Sequence, residues 1–403
     1  MTRLSVRRRF GLLFVALILA VSTASAKDTP PAESRRADPA GVGMDAKRLA
    51  EIPKRMREFV ENKQVAGVVT LVARKGRIVH VAAVGLADVE EQRPMREDSL
   101  FAIASMTKPI SATAVMILKD EGKLSLDDPV SKYIPAFKNA SLKDGPPSRR
   151  ITIRDCLTHT SGIVGSQRCE RTLEETVDVL AKRPLGFQPG EKWAYSPGLN
   201  VCGRVVEIVS GQPFDRFLAE RIFRPLKMTD TTFCPTPDQR KRLATVYEPG
   251  ADKKSLAVVS HWISDDRCQR APNPSGGLVS TATDMARFYQ MVLNGGELEG
   301  RRIVSKASVE EMTGLQTKDL KTGFTPGNGW GLGWCIVRQP QGVTEMLSPG
   351  TFGHGGAFGT QGWVDPKREM IFVLMIQRRG FGNGDASDIR KTFQQNAVGA
   401  VKE

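Results

Sequence analysis

Strand-like segments lie near the two ends of the chain, separated by a long stretch of mainly helical pattern. Residues 65–73 and 78–84 are apolar and rich in β-branched side chains, and they meet through Lys75-Gly76, as a strand pair would. Residues 362–364 and 370–376 flank Asp365-Pro366-Lys367, and residues 331–337 read as one further strand. Helical spacing dominates between them, at residues 105–121, 151–159, 203–210 and 215–222. Asp45 can cap a helix over residues 45–60, and residues 385–401 can form a terminal one. Strands from both ends with helices between them predict an α+β domain. In it, one antiparallel sheet is assembled from both termini, with flanking helices and an inserted, mainly helical lobe.

The N-terminus sets the expected compartment. Arg7-Arg8-Arg9 precede an apolar stretch from Phe10 to Val21, and Ala24-Ser25-Ala26 supplies a small-residue cleavage site, together the layout of an export signal over residues 1–26. About 12 apolar residues are too few to span a bilayer, which takes about 20. Arg7-Arg8-Arg9-Phe10 is also compatible with twin-arginine export, so the route stays open. The expected product is a periplasmic or secreted protein with no stable membrane span after cleavage. Residues 27–44 would be a linker and residues 45–403 the folded unit. The α/β lobe would take about 45–120 and 275–403, and the helical lobe about 121–274. Of the formal charge of +14, the signal segment carries four arginines and no acid. The remaining basic residues occur in scattered pairs without interleaved aromatics, so nucleic acid is not an expected partner. Six cysteines in an oxidising compartment permit disulfides, with Cys169–Cys268 the expected pair because both lie in polar, loop-like stretches.

Ser105 and Lys108 carry the strongest chemical signal. On a helix, residues three apart share a face, and Ser105 is the only serine of the chain followed by Lys three positions later. A serine hydroxyl needs a partner to take its proton. A lysine can do so when burial lowers its pKa. Gly-x-Ser-x-Gly, His-Glu-x-x-His and phosphate-loop strings do not occur, which disfavours an α/β-hydrolase, a zinc hydrolase and nucleotide chemistry. No metal or cofactor is expected.

Companion motifs for Ser-x-x-Lys extend along the chain: Phe101-Ala-Ile-Ala-Ser-Met-Thr-Lys-Pro-Ile110, Leu157-Thr-His-Thr-Ser-Gly162, Pro189-Gly-Glu-Lys-Trp-Ala-Tyr-Ser196, Ser275-Gly-Gly-Leu-Val-Ser-Thr281 and Gly329-Trp-Gly-Leu-Gly-Trp334. In this order they resemble the serine β-lactamase-related superfamily, most of all its class C β-lactamase, D,D-carboxypeptidase and family VIII carboxylesterase branch. The resemblance implies a β-lactamase/transpeptidase-like fold from about Asp45 onward. It makes Ser105 the acyl-accepting nucleophile, Lys108 its proton partner and Tyr195 a participant in proton transfer. His354-Gly355-Gly356 takes the place of the Lys-Thr-Gly box common in relatives, and the backbone amides of Ser105 and Ala357 are the implied oxyanion donors. A literal Lys321-Thr322-Gly323 string lies upstream of the Trp-Gly motif and reads as a coincidence.

Two departures bear on substrate. Pro197 stands where an Asn is usual after the tyrosine, Asn200 being out of register, and His354 offers only a conditional charge where Lys would offer a permanent one. The expectation is an exported serine hydrolase favouring esters. Class C-like β-lactamase and D,D-carboxypeptidase activity on cell-wall peptides are the alternatives, and a penicillin-binding sensor without turnover is the alternative of another class. His159 is expected to hold its own turn together, and His80 and His261 to be structural or of no assigned role.

Overall fold

The computed structural model describes residues 1–2, 36–166, 169, 171–252, 255–259, 271–323, 325–380 and 386–402. The expected signal segment, most of the expected linker, His261 and Cys268 lie outside the described residues.

The elements that position the site run in chain order as α1 (Glu51–Glu61), β1 (Gly67–Arg74), β2 (Arg77–Asp88), α2 (Thr107–Asp120), α3 (Ile153–Thr158), α4 (Leu173–Ala181), α5 (Gly198–Ser210), α6 (Ala282–Leu293), β3 (Asn328–Trp330), β4 (Cys335–Val337), β5 (Phe352–Gly355), β6 (Gln361–Asp365), β7 (Met370–Met375) and α7 (Asp388–Gly399). The central sheet has eight strands in the order β3-β4-β5-β6-β7-β1-β2, closed by the short strand Arg93–Pro94. Every pairing in it is antiparallel. β1 from the N-terminal half pairs with β7 from the C-terminal end, Val69 opposite Met375 and Leu71 opposite Val373.

Side-chain alternation along these strands divides the interior in two. Val69, Leu71, Ile371, Val373 and Met375 join the core on the side of α2 and α6, whereas Val68, Val72, Met370, Phe372 and Leu374 join the core beneath α1 and α7. The central strands are therefore apolar at successive positions, because both faces are covered. Helix α2 is buried from Thr107 through Leu118, so it shows no polar stripe.

Three local expectations change. The single helix expected over residues 45–60 is two: Asp45 accepts from the amides of Lys47 and Arg48 to cap Ala46–Leu49, and α1 follows after Ala50. The strand expected over residues 331–337 is a hairpin, with Trp330 opposite Cys335. Gly333 turns the chain between them at φ +76° and donates its amide to the Leu157 carbonyl at 2.9 Å. Helix α6 has no counterpart among the expected elements: Met285, Ala286, Phe288, Tyr289, Met291 and Val292 are all buried, and so is the polar line of Asp284, Arg287 and Gln290 on its other side.

The expected Cys169–Cys268 disulfide is also corrected. Cys169 keeps its thiol in a buried setting, and it is Cys234 that is disulfide-bonded. The polar character of the segment around Cys169 is a poor guide, since that side chain is packed inside. Among the described residues no helix is long and apolar enough to cross a membrane.

Candidate active site

The short strand Phe101–Ala102 runs into a tight turn of 3-10 helix, Ala104–Met106, which continues into α2. Ala104 holds φ at +43°. For a residue with a Cβ this left-handed conformation costs roughly 1–2 kcal/mol, a strain tolerated where the surroundings fix it. It turns Ser105 out at the head of the helix, where the partial positive charge of the helix end favours a developing anion.

Lys108 reaches back one turn. Its Nζ donates to Ser105 Oγ at 3.1 Å and to the Ser275 carbonyl at 2.5 Å, and lies 4.5 Å from the centre of the Tyr195 ring. The side chain is almost wholly buried, and burial pulls its pKa from the usual 10.5 to about 7. The amine is thus poised to exist in either form near neutrality.

The Ser275 carbonyl is itself fixed. Asn200 Oδ1, on the first turns of α5, accepts from the Ser275 amide at 3.0 Å, and Asn273 Oδ1 accepts from the same amide at 3.0 Å. Asn200, out of register beside Pro197 in the sequence, holds the loop that anchors Lys108. No local sequence signal points to that contact between residues 75 positions apart.

Strand β5 brings the glycine-rich box to the same place. Thr360 Oγ1 donates to the Ile103 carbonyl at 3.3 Å, two residues before Ser105. An added Cβ on Gly356 would lie 2.6 Å from that carbonyl oxygen and 2.1 Å from Thr360 Oγ1. Glycine is therefore required here for backbone to approach backbone. Gly355 ends β5, and Ala357 follows at an exposed position. Gly356→Ala is expected to cost about 1–3 kcal/mol of stability and to lower turnover at least tenfold by pushing the Ala357 amide from the serine. Urea unfolding together with ester kinetics checks both numbers.

His354 is buried on β5. Its Nδ1 donates to the Gly355 carbonyl at 2.6 Å, leaving Nε2 as the lone-pair nitrogen, buried without a hydrogen-bond partner among the described residues. Burial, reinforced by the charge of Lys108, holds its pKa at about 3, so the ring is neutral at ordinary pH. Trp330 stands perpendicular to it at 5.4 Å, and the Tyr195 ring lies 6.1 Å away. With Trp193 and His159, these rings make an aromatic wall around Tyr195. The structure thus places Ser105, Lys108, Tyr195, His354, Gly355, Gly356 and Ala357 around one locus.

The Lys321-Thr322-Gly323 string lies off strand β5, with Gly323 against the Trp193 ring. It belongs to the loop before β3, with Lys321 exposed and Thr322 Oγ1 donating to the Asn328 carbonyl at 2.7 Å. His80 Nε2 pairs with Thr70 Oγ1 at 2.8 Å within the sheet. Among the described residues no cluster of His, Cys, Asp and Glu could hold a metal ion.

An antiparallel sheet built from both chain ends, with a Ser and a buried Lys opening the helix against it, is the layout of the β-lactamase/transpeptidase class. A family model described as Beta-lactamase matches residues 52–397, and the chain belongs to that family, whose members are serine hydrolases. It is similar to the esterase EstB of Burkholderia gladioli, with 32% identity over 375 residues that cover 84% of this chain and 93% of EstB. It is also similar to a putative D-alanyl-D-alanine carboxypeptidase of Escherichia coli K12, with 27% identity over 403 residues covering 92% and 91% of the two chains. Among solved structures, EstCE1, described as a hydrolase with promiscuous acyltransferase activity, superposes with a TM-score of 0.76 at 25% identity. The match covers 89% of this chain and 99% of EstCE1.

Proposed function

We propose that the protein is an exported serine hydrolase that cleaves uncharged esters through an acyl-enzyme on Ser105. The observation that carries this reading is the 3.1 Å approach of a buried, low-pKa Lys108 amine to the Ser105 hydroxyl. In its neutral form Lys108 takes the hydroxyl proton as Oγ bonds to the ester carbonyl carbon. The amides of Ser105 and Ala357 hold the resulting oxyanion. Lys108 and Tyr195 then return the proton to the departing alcohol oxygen as the C–O bond breaks. A water molecule attacks the acyl-enzyme by the same route, with its proton going to the same pair and then to Ser105 Oγ.

Ester preference rests on His354. β-Lactams and the termini of cell-wall peptides carry a carboxylate, which a neutral, buried imidazole cannot neutralise. A hydrogen bond to a charged group is worth about 1.5–3 kcal/mol, so its loss removes roughly 10- to 150-fold in binding. The similarity to EstB, an esterase, supports the same preference. Export is supported by the signal-like residues 1–26 and by the disulfide at Cys234, a bond favoured in oxidising compartments.

The test is a direct comparison of p-nitrophenyl butyrate with nitrocefin on the wild-type protein. The ester is expected to have the higher kcat/KM, by about 100-fold or more. Equal or reversed values would move the assignment to β-lactamase. A penicillin adduct that persists by intact mass, without ester turnover, would move it to a penicillin-binding sensor.

A further inference from the structure

Tyr195 sits on a loop with no regular secondary structure, yet its ring must keep station beside Lys108. The backbone on either side of it is tied to a single residue. The Ala194 amide donates to the His159 carbonyl at 3.0 Å, and the Ser196 amide donates to His159 Nδ1 at 3.2 Å. The imidazole then lies against the Tyr195 ring, centre to centre at 4.6 Å. We infer that His159 is a positioning residue for Tyr195, clamping the amides that flank it and backing its ring.

Several features make this clamp specific. His159 terminates α3 in the left-handed conformation, with φ at +61°. Gly or Asn would adopt that backbone more easily, and the His that stands there is fully buried. Because Nδ1 accepts the Ser196 amide, the ring proton belongs on Nε2, which is buried without a hydrogen-bond partner among the described residues. The ring must stay neutral to accept, and burial, reinforced by the charge of Lys108, holds its pKa well below the ordinary range. Neighbouring backbone extends the contact: the Gly190 amide donates to the Thr160 carbonyl and the Gly186 amide to the Gly162 carbonyl, each at 2.8 Å. The turn after α3 thus grips the whole loop that ends at Tyr195. Its role is broader than holding its own turn together.

The inference rests on the reading of Tyr195 as a proton carrier, and its test separates the two. Four variants are compared with wild type on p-nitrophenyl butyrate: Tyr195→Phe, His159→Asn, His159→Gln and the Tyr195→Phe/His159→Gln double variant. Thermal melting establishes that each is folded. Asn suits the left-handed backbone and places a side-chain oxygen where Nδ1 stood, whereas the Gln acceptor sits one bond too far out. The expected result is a 30- to 100-fold loss of kcat in His159→Gln with KM changed less than threefold, and recovery to within about fivefold of wild type in His159→Asn. The double variant should be within threefold of Tyr195→Phe. Multiplying losses in the double variant, a loss carried by KM, or Asn no better than Gln would each overturn the positioning role. If Gln does not fold, His159→Ala replaces it in the same comparison. A Tyr195→Phe protein with undiminished kcat would instead overturn the proton-carrier reading beneath it.

Discussion

Ser105→Ala is expected to lower kcat for p-nitrophenyl butyrate by on the order of 10⁴- to 10⁶-fold, the scale seen when a nucleophile that works as part of a unit is removed. The substitution deletes one oxygen whose protein contact is the hydrogen bond from Lys108. The neighbouring groups remain: the Ser105 amide survives in Ala, Gly356 still lies against Ile103, and Ala104 keeps its left-handed turn. Binding and oxyanion stabilisation should therefore persist, so the residual rate remains above that in water. Melting temperature should be unchanged or slightly raised, because the Lys108 amine keeps the Ser275 carbonyl as acceptor. Intact mass after exposure to ester should show an acyl adduct on the wild-type protein under rapid quench and none on the variant. Retention of a tenth or more of the turnover would show that another group performs the attack.

What the sequence makes legible follows the range of the interactions. The Ser105–Lys108 pair needs only helical periodicity over three residues, and the strands near the chain ends need only short apolar, β-branched runs bounded by turn residues. Contacts across the chain are hidden. Asn200 has the wrong register beside Tyr195, and its partner is instead the distant amide of Ser275. His159 carries a local turn signal, yet the groups it grips lie more than thirty residues later. Helix α6 carries a polar line of Asp284, Arg287 and Gln290, and what the sequence hides is its burial: Asp284 accepts from the Asp230 amide and Arg287 donates to the Leu226 carbonyl. The hairpin of β3 and β4 reads as one strand because Gly331-Leu-Gly-Trp334 is apolar, and apolarity does not reveal a positive φ at Gly333. The cysteine pairing misleads for the converse reason: a polar stretch around Cys169 encloses a buried side chain.

Replacing Lys108 is expected to produce a second large loss, and one whose pH dependence identifies the mechanism. With a pKa of about 7, the wild-type amine is protonated below neutrality and cannot accept the Ser105 proton. kcat/KM should rise about tenfold per pH unit below 7 and level off above it. His354, at about 3, and His159, held well below its ordinary range, stay neutral through this interval, so one ionisation should describe the limb. Lys108→Met should lose on the order of 10³-fold or more and lack that limb. Lys108→Arg should fail as well, since guanidinium stays protonated. Stability should respond in a linked direction. Below pH 7 both folded and unfolded chains hold the lysine proton; between 7 and 10.5 the unfolded chain holds it and the folded chain does not. Stability therefore rises with pH across that window, by roughly 2–3 kcal/mol between pH 7 and 9, and the burial cost is fully expressed at lower pH. Urea unfolding at pH 6 and pH 9 should show this gain in wild type and its disappearance in Lys108→Met. A pH-independent rate would mean that the amine is not the base, while a rate limb near 7 that survives in Lys108→Met would assign the proton to another group.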